Sequence, residues 1–114
     1  MMEAVILFVK DFLLGTQLSD RLATIGKQVV FCERIRELPP EIEVVIIDLD
    51  EKGFGNADFI STLKAARPQL RSLGFMKQIR KQRLTELKAA GCSVIISQSS
   101  ALKNIQNIIL ELTR

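Results

Sequence analysis

Asp48 closes the run Val44-Val45-Ile46-Ile47, four β-branched residues in a row with no helical spacing. Such a run describes a central strand buried on both faces. In open α/β sheets ligands bind beyond the carboxyl ends of parallel strands, and a carboxylate desolvated there by apolar neighbours costs free energy unless something pairs with it. Asp48 is therefore a candidate site residue. A second apolar run, Ala4 to Val9, also ends in polar residues, Lys10-Asp11. Other chemistries are removed by what is missing. Histidine is absent, and Cys32 and Cys92 sit in apolar segments without metal-ligand spacing, so they read as buried thiols. That excludes zinc-hydrolase and Ser-His-Asp chemistry. The segment Gly53-Phe54-Gly55-Asn56-Ala57-Asp58 starts like a dinucleotide fingerprint but lacks the last glycine and follows the third strand, so its glycines read as turn formers. Phe54 either protrudes from that turn as a partner anchor or tucks against the sheet edge.

Alternating elements are needed to position these residues. After the strand at Ala4 to Val9, Leu14, Leu18, Leu22 and Ile25 recur at helical spacing until Gly26 stops the helix. Gln28 to Cys32 reads as a second strand, and Glu33 to Ile42 holds at most a short helix before Pro39-Pro40. Beyond the central strand, Asn56 is an N-cap for a helix burying Phe59, Ile60, Leu63 and Ala66, closed by Pro68. Leu70 to Met76 is the fourth strand. Ile79, Arg83, Leu87 and Ala90 then share one side of a strongly basic helix that Gly91 caps. Ser93 to Ser97 is the fifth strand, followed by the stripe Ala101, Leu102, Ile105, Ile108, Ile109 and Leu112. The order βαβαβαβαβα predicts a doubly wound (βα)5 α/β fold of flavodoxin-like type, a five-stranded parallel sheet with helices on both faces.

At 114 residues the chain supports one core, and a single domain is expected over residues 1–114. No run of 18 apolar residues occurs, and Met1-Met2-Glu3 carries no basic leader before Ala4. The sequence thus predicts neither a membrane span nor a secretory signal, and a cytoplasmic chain.

The acidic position after the first strand (Asp11), Asp48 ending the third, the strand tips at Met76 and Gln98 and the Gly91-Cys92-Ser93 turn together resemble the receiver domain of two-component response regulators, the CheY-like domains. The resemblance spans essentially the whole chain. It implies a site in which two adjacent acids and a phospho-accepting aspartate hold Mg²⁺, while a Thr or Ser and a Lys grip the phosphoryl oxygens. The hard cation and the lysine neutralise charge spreading onto the transferring group, and the hydroxyl reads the product.

Position by position, the resemblance makes Asp48 the phospho-acceptor and Asp11 one of the acid pair, with Lys10 in place of the other. Met76 stands where the hydroxyl belongs and has no donor; Gln98 stands where the lysine belongs and has no charge. Ile95 replaces the switch aromatic and Lys52 the loop proline. The resemblance therefore implies a degenerate receiver, with Asp48, Asp11, Lys10, Asp50, Met76 and Gln98 as a vestigial phospho-acceptor pocket. Lys10 either closes an ion-pair cluster with Asp11 and Asp48, standing in for the metal, or snorkels to solvent. No cofactor and no catalysis are expected; if a Mg²⁺ site is retained, its ligands are Asp11, Asp48 and Asp50.

The formal net charge of +3 is unevenly spread: acids dominate from Glu33 to Asp58, and Lys77, Arg80, Lys81, Arg83 and Lys88 crowd the following helix. That charge reads either as a solvated helix face or as a docking surface for an acidic protein or nucleic acid. The resemblance places it on the surface formed by the fourth helix, fifth strand and fifth helix, where receivers meet partners or a second copy, and an acidic protein or a homodimer mate fits it. Function is expected to be signalling or regulatory, by protein contact. Two alternatives stay open: a receiver still phosphorylated on Asp48 with Mg²⁺, and a small nucleic-acid-associated regulator using the basic helix. The second has no Trp or Tyr to stack on bases.

Overall fold

The computed structural model describes residues 3–114; Met1-Met2, on which the reading of a missing leader partly rests, lie outside the described residues. The elements are β1 (Ala4–Phe8), α1 (Phe12–Ala23), β2 (Gln28–Phe31), a 3-10 turn (Ile35–Glu37), β3 (Ile42–Asp48), α2 (Ala57–Ala66), β4 (Ser72–Met76), α3 (Lys81–Ala90), β5 (Val94–Ser97) and α4 (Gln98–Leu112). All strand pairs are parallel, in the order β2-β1-β3-β4-β5. This is the doubly wound, flavodoxin-like arrangement expected from the alternation of elements.

The period-2 geometry of β3 splits its buried residues between two cores. Val45 and Ile47 pack with Phe8, Ile60, Leu63 and Leu87 under α2 and α3. Val44 and Ile46 pack with Leu18, Leu22, Ile105 and Ile109 under α1 and α4. Burial of each such side chain contributes about 1.5–3 kcal/mol, which is why the run Val44 to Ile47 occupies the middle of the sheet. Among the described residues no helix is long and apolar enough to cross a membrane.

Turn chemistry sets the element ends. The second crossover is only a 3-10 turn, closed by the Glu37 carboxylate, which accepts from the N–H groups of Glu33 (2.7 Å) and Arg34 (3.0 Å). Those two donors hold the Glu37 carboxyl below the usual carboxylate range. Asn56 caps α2 as expected, accepting from the Phe59 N–H at 2.7 Å. Gly91 ends α3 with φ +125°, a conformation that side chains rarely adopt.

Two expected core positions are corrected. Ala66, in the last turn of α2, is exposed, and the inward stripe is Phe59, Ile60 and Leu63. Ile79 is not on a helix at all: α3 starts at Lys81 with Arg80 extended as its N-cap, leaving Ile79 exposed in the preceding loop. The spacing of Ile79 to Arg83 fits a helix, but the Lys77 N–H is bonded to Asp50 in the loop after β3 and Arg80 is extended, so the helix begins only at Lys81.

Candidate functional site at the carboxyl ends of the strands

Asp48 is the last residue of β3 and only 8% exposed. Its Oδ1 accepts the backbone N–H of Asp50 at 3.0 Å. Burial pushes the Asp48 carboxyl above its usual range, and the nearby charges of Asp50, Glu51 and Asp11 add to the rise; the Asp50 N–H offsets part of it. The site therefore presents a carboxylate that is costly to ionise.

The neighbouring carboxylates are occupied by the backbone. Asp11 is the N-cap of α1, its Oδ1 accepting from the Leu14 N–H at 2.9 Å. Asp50 Oδ2 accepts from the Lys77 N–H at 2.8 Å, linking the β3 tip to the β4 exit. Among the described residues no three Asp, Glu, Cys or His side chains are grouped so as to hold a metal ion. Asp11, Asp48 and Asp50 nevertheless line one cleft, each with an oxygen already accepting a backbone N–H.

Lys10 takes neither of the two expected roles in full. Among the described residues the ion pairs are Lys27–Glu43, Arg34–Glu37 and Arg114–Glu111, so Lys10 closes no cluster with Asp11 and Asp48. The residue is exposed, yet its Nζ lies 5.5 Å from the centroid of the Phe54 ring. Phe54 is itself buried, tucked against Phe8 and Phe59 with ring centroids 5.3 Å away in each case. The ammonium thus caps an aromatic cluster.

A cleft of about 510 Å³ brings together Lys10, Asp11, Asp48, Asp50 and Gln98, as expected from the strand ends. Gln98 is the first residue of α4, with Ser97 as the cap before it. Met76 does not join them. Strand alternation turns it away from the cleft into the core under α2 and α3, where it is fully buried. Glu51 and Lys77 line the same cleft and were not anticipated there. Glu51 had a signal, being a third acid within four residues of Asp48. Lys77 had none, because its position depends on where the β4 exit lies relative to β3.

The expected docking helix divides into parts with different roles. Lys77 and Arg80 precede α3, and Arg80, Lys81 and Lys88 are exposed. Arg83 is a correction: its Nη2 donates to the carbonyl oxygens of Leu49 (3.0 Å) and Gly55 (2.8 Å), so it anchors α3 to the loop after β3 and is not free to bind a partner. The same loop explains Gly55, because a Cβ there would run into the Leu49 carbonyl. Cys32 and Cys92 are free and buried, and burial raises both thiols above their ordinary range.

No protein-family model matches the sequence, and no curated protein does. Solved structures do match. A response regulator from Thermotoga maritima superposes with TM-score 0.82 at 13% identity, covering 99% of this chain and 98% of that one. A CheY-like protein, TadZ, from Pseudomonas aeruginosa gives 0.80 at 19% identity over 96% and 98%. An orphan response regulator of H. pylori gives 0.81 at 16% over 98% and 97%.

Proposed function

On the premise that this chain has the fold of CheY-like receiver domains, we propose that it is a signalling or regulatory module that acts through protein contact without conventional aspartyl phosphorylation. The observation that carries this reading is the engagement of the carboxylates around Asp48. Asp11 and Asp50 spend acceptor oxygens on backbone N–H groups, and the adjacent acid of the receiver pattern is Lys10, whose ammonium lies over Phe54. Phosphoryl transfer to an aspartate depends on preorganised cations at the developing charge. Met76 in the core and the uncharged Gln98 at the cleft supply neither a hydroxyl nor a cation. In this reading the chain is not an enzyme, needs no cofactor, and uses the exposed Arg80, Lys81 and Lys88 for acidic partners.

A second reading is favoured by one observation. Asp48 borders an open cleft that also contains Lys77 and Lys10, so a slow reaction at Asp48 with those ammonium groups nearby is chemically coherent. Incubation with acetyl phosphate and Mg²⁺ followed by intact-mass measurement separates the two. Unchanged mass is expected; a phosphoryl adduct on the parent chain that disappears in Asp48→Asn overturns the first reading in favour of the second.

A further inference from the structure

The Asp48 carboxylate is only half engaged. Its Oδ1 accepts the Asp50 N–H, whereas Oδ2 has no hydrogen-bond partner among the described residues, although Asp48 is 92% buried by its 8% exposure. Among those residues no fully buried polar side-chain atom lacks a partner, so Oδ2 keeps its small opening, and that opening is the cleft that Asp48 lines. A carboxylate buried this far costs free energy until a cation completes it. The chain's own cations do not. Lys10 and Lys77 line the cleft, yet among the described residues neither is within ion-pair distance of a carboxylate, and the Lys10 ammonium lies over Phe54. Against these two stand four acids, Asp11, Asp48, Asp50 and Glu51, so negative charge is in surplus. Asp11 and Asp50 each keep one oxygen free of the backbone, and Glu51 keeps both. Part of the wall is apolar, formed by the buried Leu14 and by Leu13, which is 67% exposed.

A ligand matched to these features has a cationic head and an apolar stem. A guanidinium suits the head: its five donors lie in one plane, reach several separate carboxylate oxygens and give up hydration more readily than an ammonium. A methylene stem suits the leucines, as the stems of long cationic side chains do elsewhere. The cleft, about 510 Å³, falls within the roughly 300–1,000 Å³ of sites that enclose small groups. We propose that the cleft binds an alkylguanidinium, its head against the Asp48 Oδ2 and the Glu51 carboxylate and its stem along Leu13. The bound cation completes the one buried carboxylate that the fold leaves open. Two sources share this chemistry, the arginine side chain of a partner protein and a small free guanidine. The inference rests on the reading without phosphoryl transfer, because a phosphoryl group on Asp48 would take the same space.

Nuclear magnetic resonance titration of the isotope-labelled chain tests it. The reporters are the backbone N–H groups of Leu14, Asp50 and Lys77, which the cleft carboxylates hold. N-acetyl-arginine amide stands for a partner's side chain and butylguanidinium for a free guanidine. Saturable shifts in the millimolar range are expected from both, and the tighter of the two assigns the source. Asp48→Asn and Glu51→Gln should each weaken binding about tenfold, since each removes a charge-assisted hydrogen bond. Leu13→Ser should weaken it about threefold by removing apolar contact with the stem. Asparagine still accepts the Asp50 N–H, and Leu13 lies outside both cores, so circular dichroism should show these variants folded like the parent. N-acetyl-citrulline amide, which has the shape without the charge, should leave the reporters unmoved, and methylguanidinium, which has the head without the stem, should bind more weakly. The proposal is overturned if nothing saturates, if either control binds as well as the arginine probe, or if Asp48→Asn binds like the parent. It is also overturned if Mg²⁺ moves the same reporters and displaces the arginine probe. A parent that ignores the guanidines and also gains no mass from acetyl phosphate loses this inference alone, and the protein-contact reading stands.

Discussion

The Asp50 carboxylate accepts a 2.8 Å hydrogen bond from the backbone N–H of Lys77, while the backbone N–H of Asp50 donates to Asp48 at 3.0 Å. This two-step link joins the tips of β3 and β4. It uses an oxygen of Asp50 on the chain itself and fixes the start of the basic loop relative to the cleft. Cross-strand geometry at the site is therefore held in part by backbone donors.

Replacing Asp48 by Asn is expected to stabilise the protein at neutral pH by about 1 kcal/mol, a typical size for a single change and worth roughly 4 °C in a domain of this length. The amide oxygen still accepts the Asp50 N–H, and the buried charge is gone. The pH dependence has a definite sign. Because the folded-state pKa of Asp48 is raised above its unfolded value near ~3.9, the native state binds more protons between the two values. Asp48 contributes most below the unfolded value, and that contribution is lost as pH rises through the raised folded value. Thermal melts from pH 3 upward check this: the advantage of Asp48→Asn should open with rising pH. An advantage that shrinks instead defeats the account.

Arg83→Ala is expected to destabilise by about 2–3 kcal/mol, because it leaves the Leu49 and Gly55 carbonyls without the shared guanidinium donor. Arg83→Lys should recover only part, since a single ammonium lacks the planar fork. Urea unfolding reads both. If Arg83→Ala unfolds with the parent's midpoint, the residue belongs with the docking groups after all.

Lys10→Asp restores the adjacent acid that the receiver pattern places beside Asp11. Millimolar Mg²⁺ is expected to raise the melting temperature of this variant and leave the parent unmoved. The gain should be about 1.4 kcal/mol when the ion stands at about ten times its Kd. Equal stabilisation of parent and variant would show that the existing carboxylates already hold the ion.

Much of this was legible in the residue order. Strand runs, helical stripes, the Gly26 and Gly91 stops and the Asn56 cap are local signals whose period reports which face is buried, and they led to a five-stranded parallel sheet with helices on both sides. Because ligands gather at strand ends in such sheets, the same signals brought Lys10, Asp11, Asp48, Asp50 and Gln98 to one cleft. The exceptions share a cause. Met76 turns into the core because strand parity at a single residue decides between pocket and interior. Ile79 leaves its stripe because α3 begins only at Lys81, after a segment whose Lys77 N–H is bonded to another loop and whose Arg80 is extended.

The sequence alone therefore determined the order of elements, the two faces of the sheet and the set of residues arriving at its carboxyl edge, since these follow from periodicity and burial along the chain. Only the tertiary structure decided what each of those residues does there: Asp50 bound to Lys77, Arg83 bent to Leu49, Lys10 over Phe54. Hydrogen bonds and ring contacts between loops depend on distances of a few ångströms across segments far apart in the chain, and no local pattern encodes them.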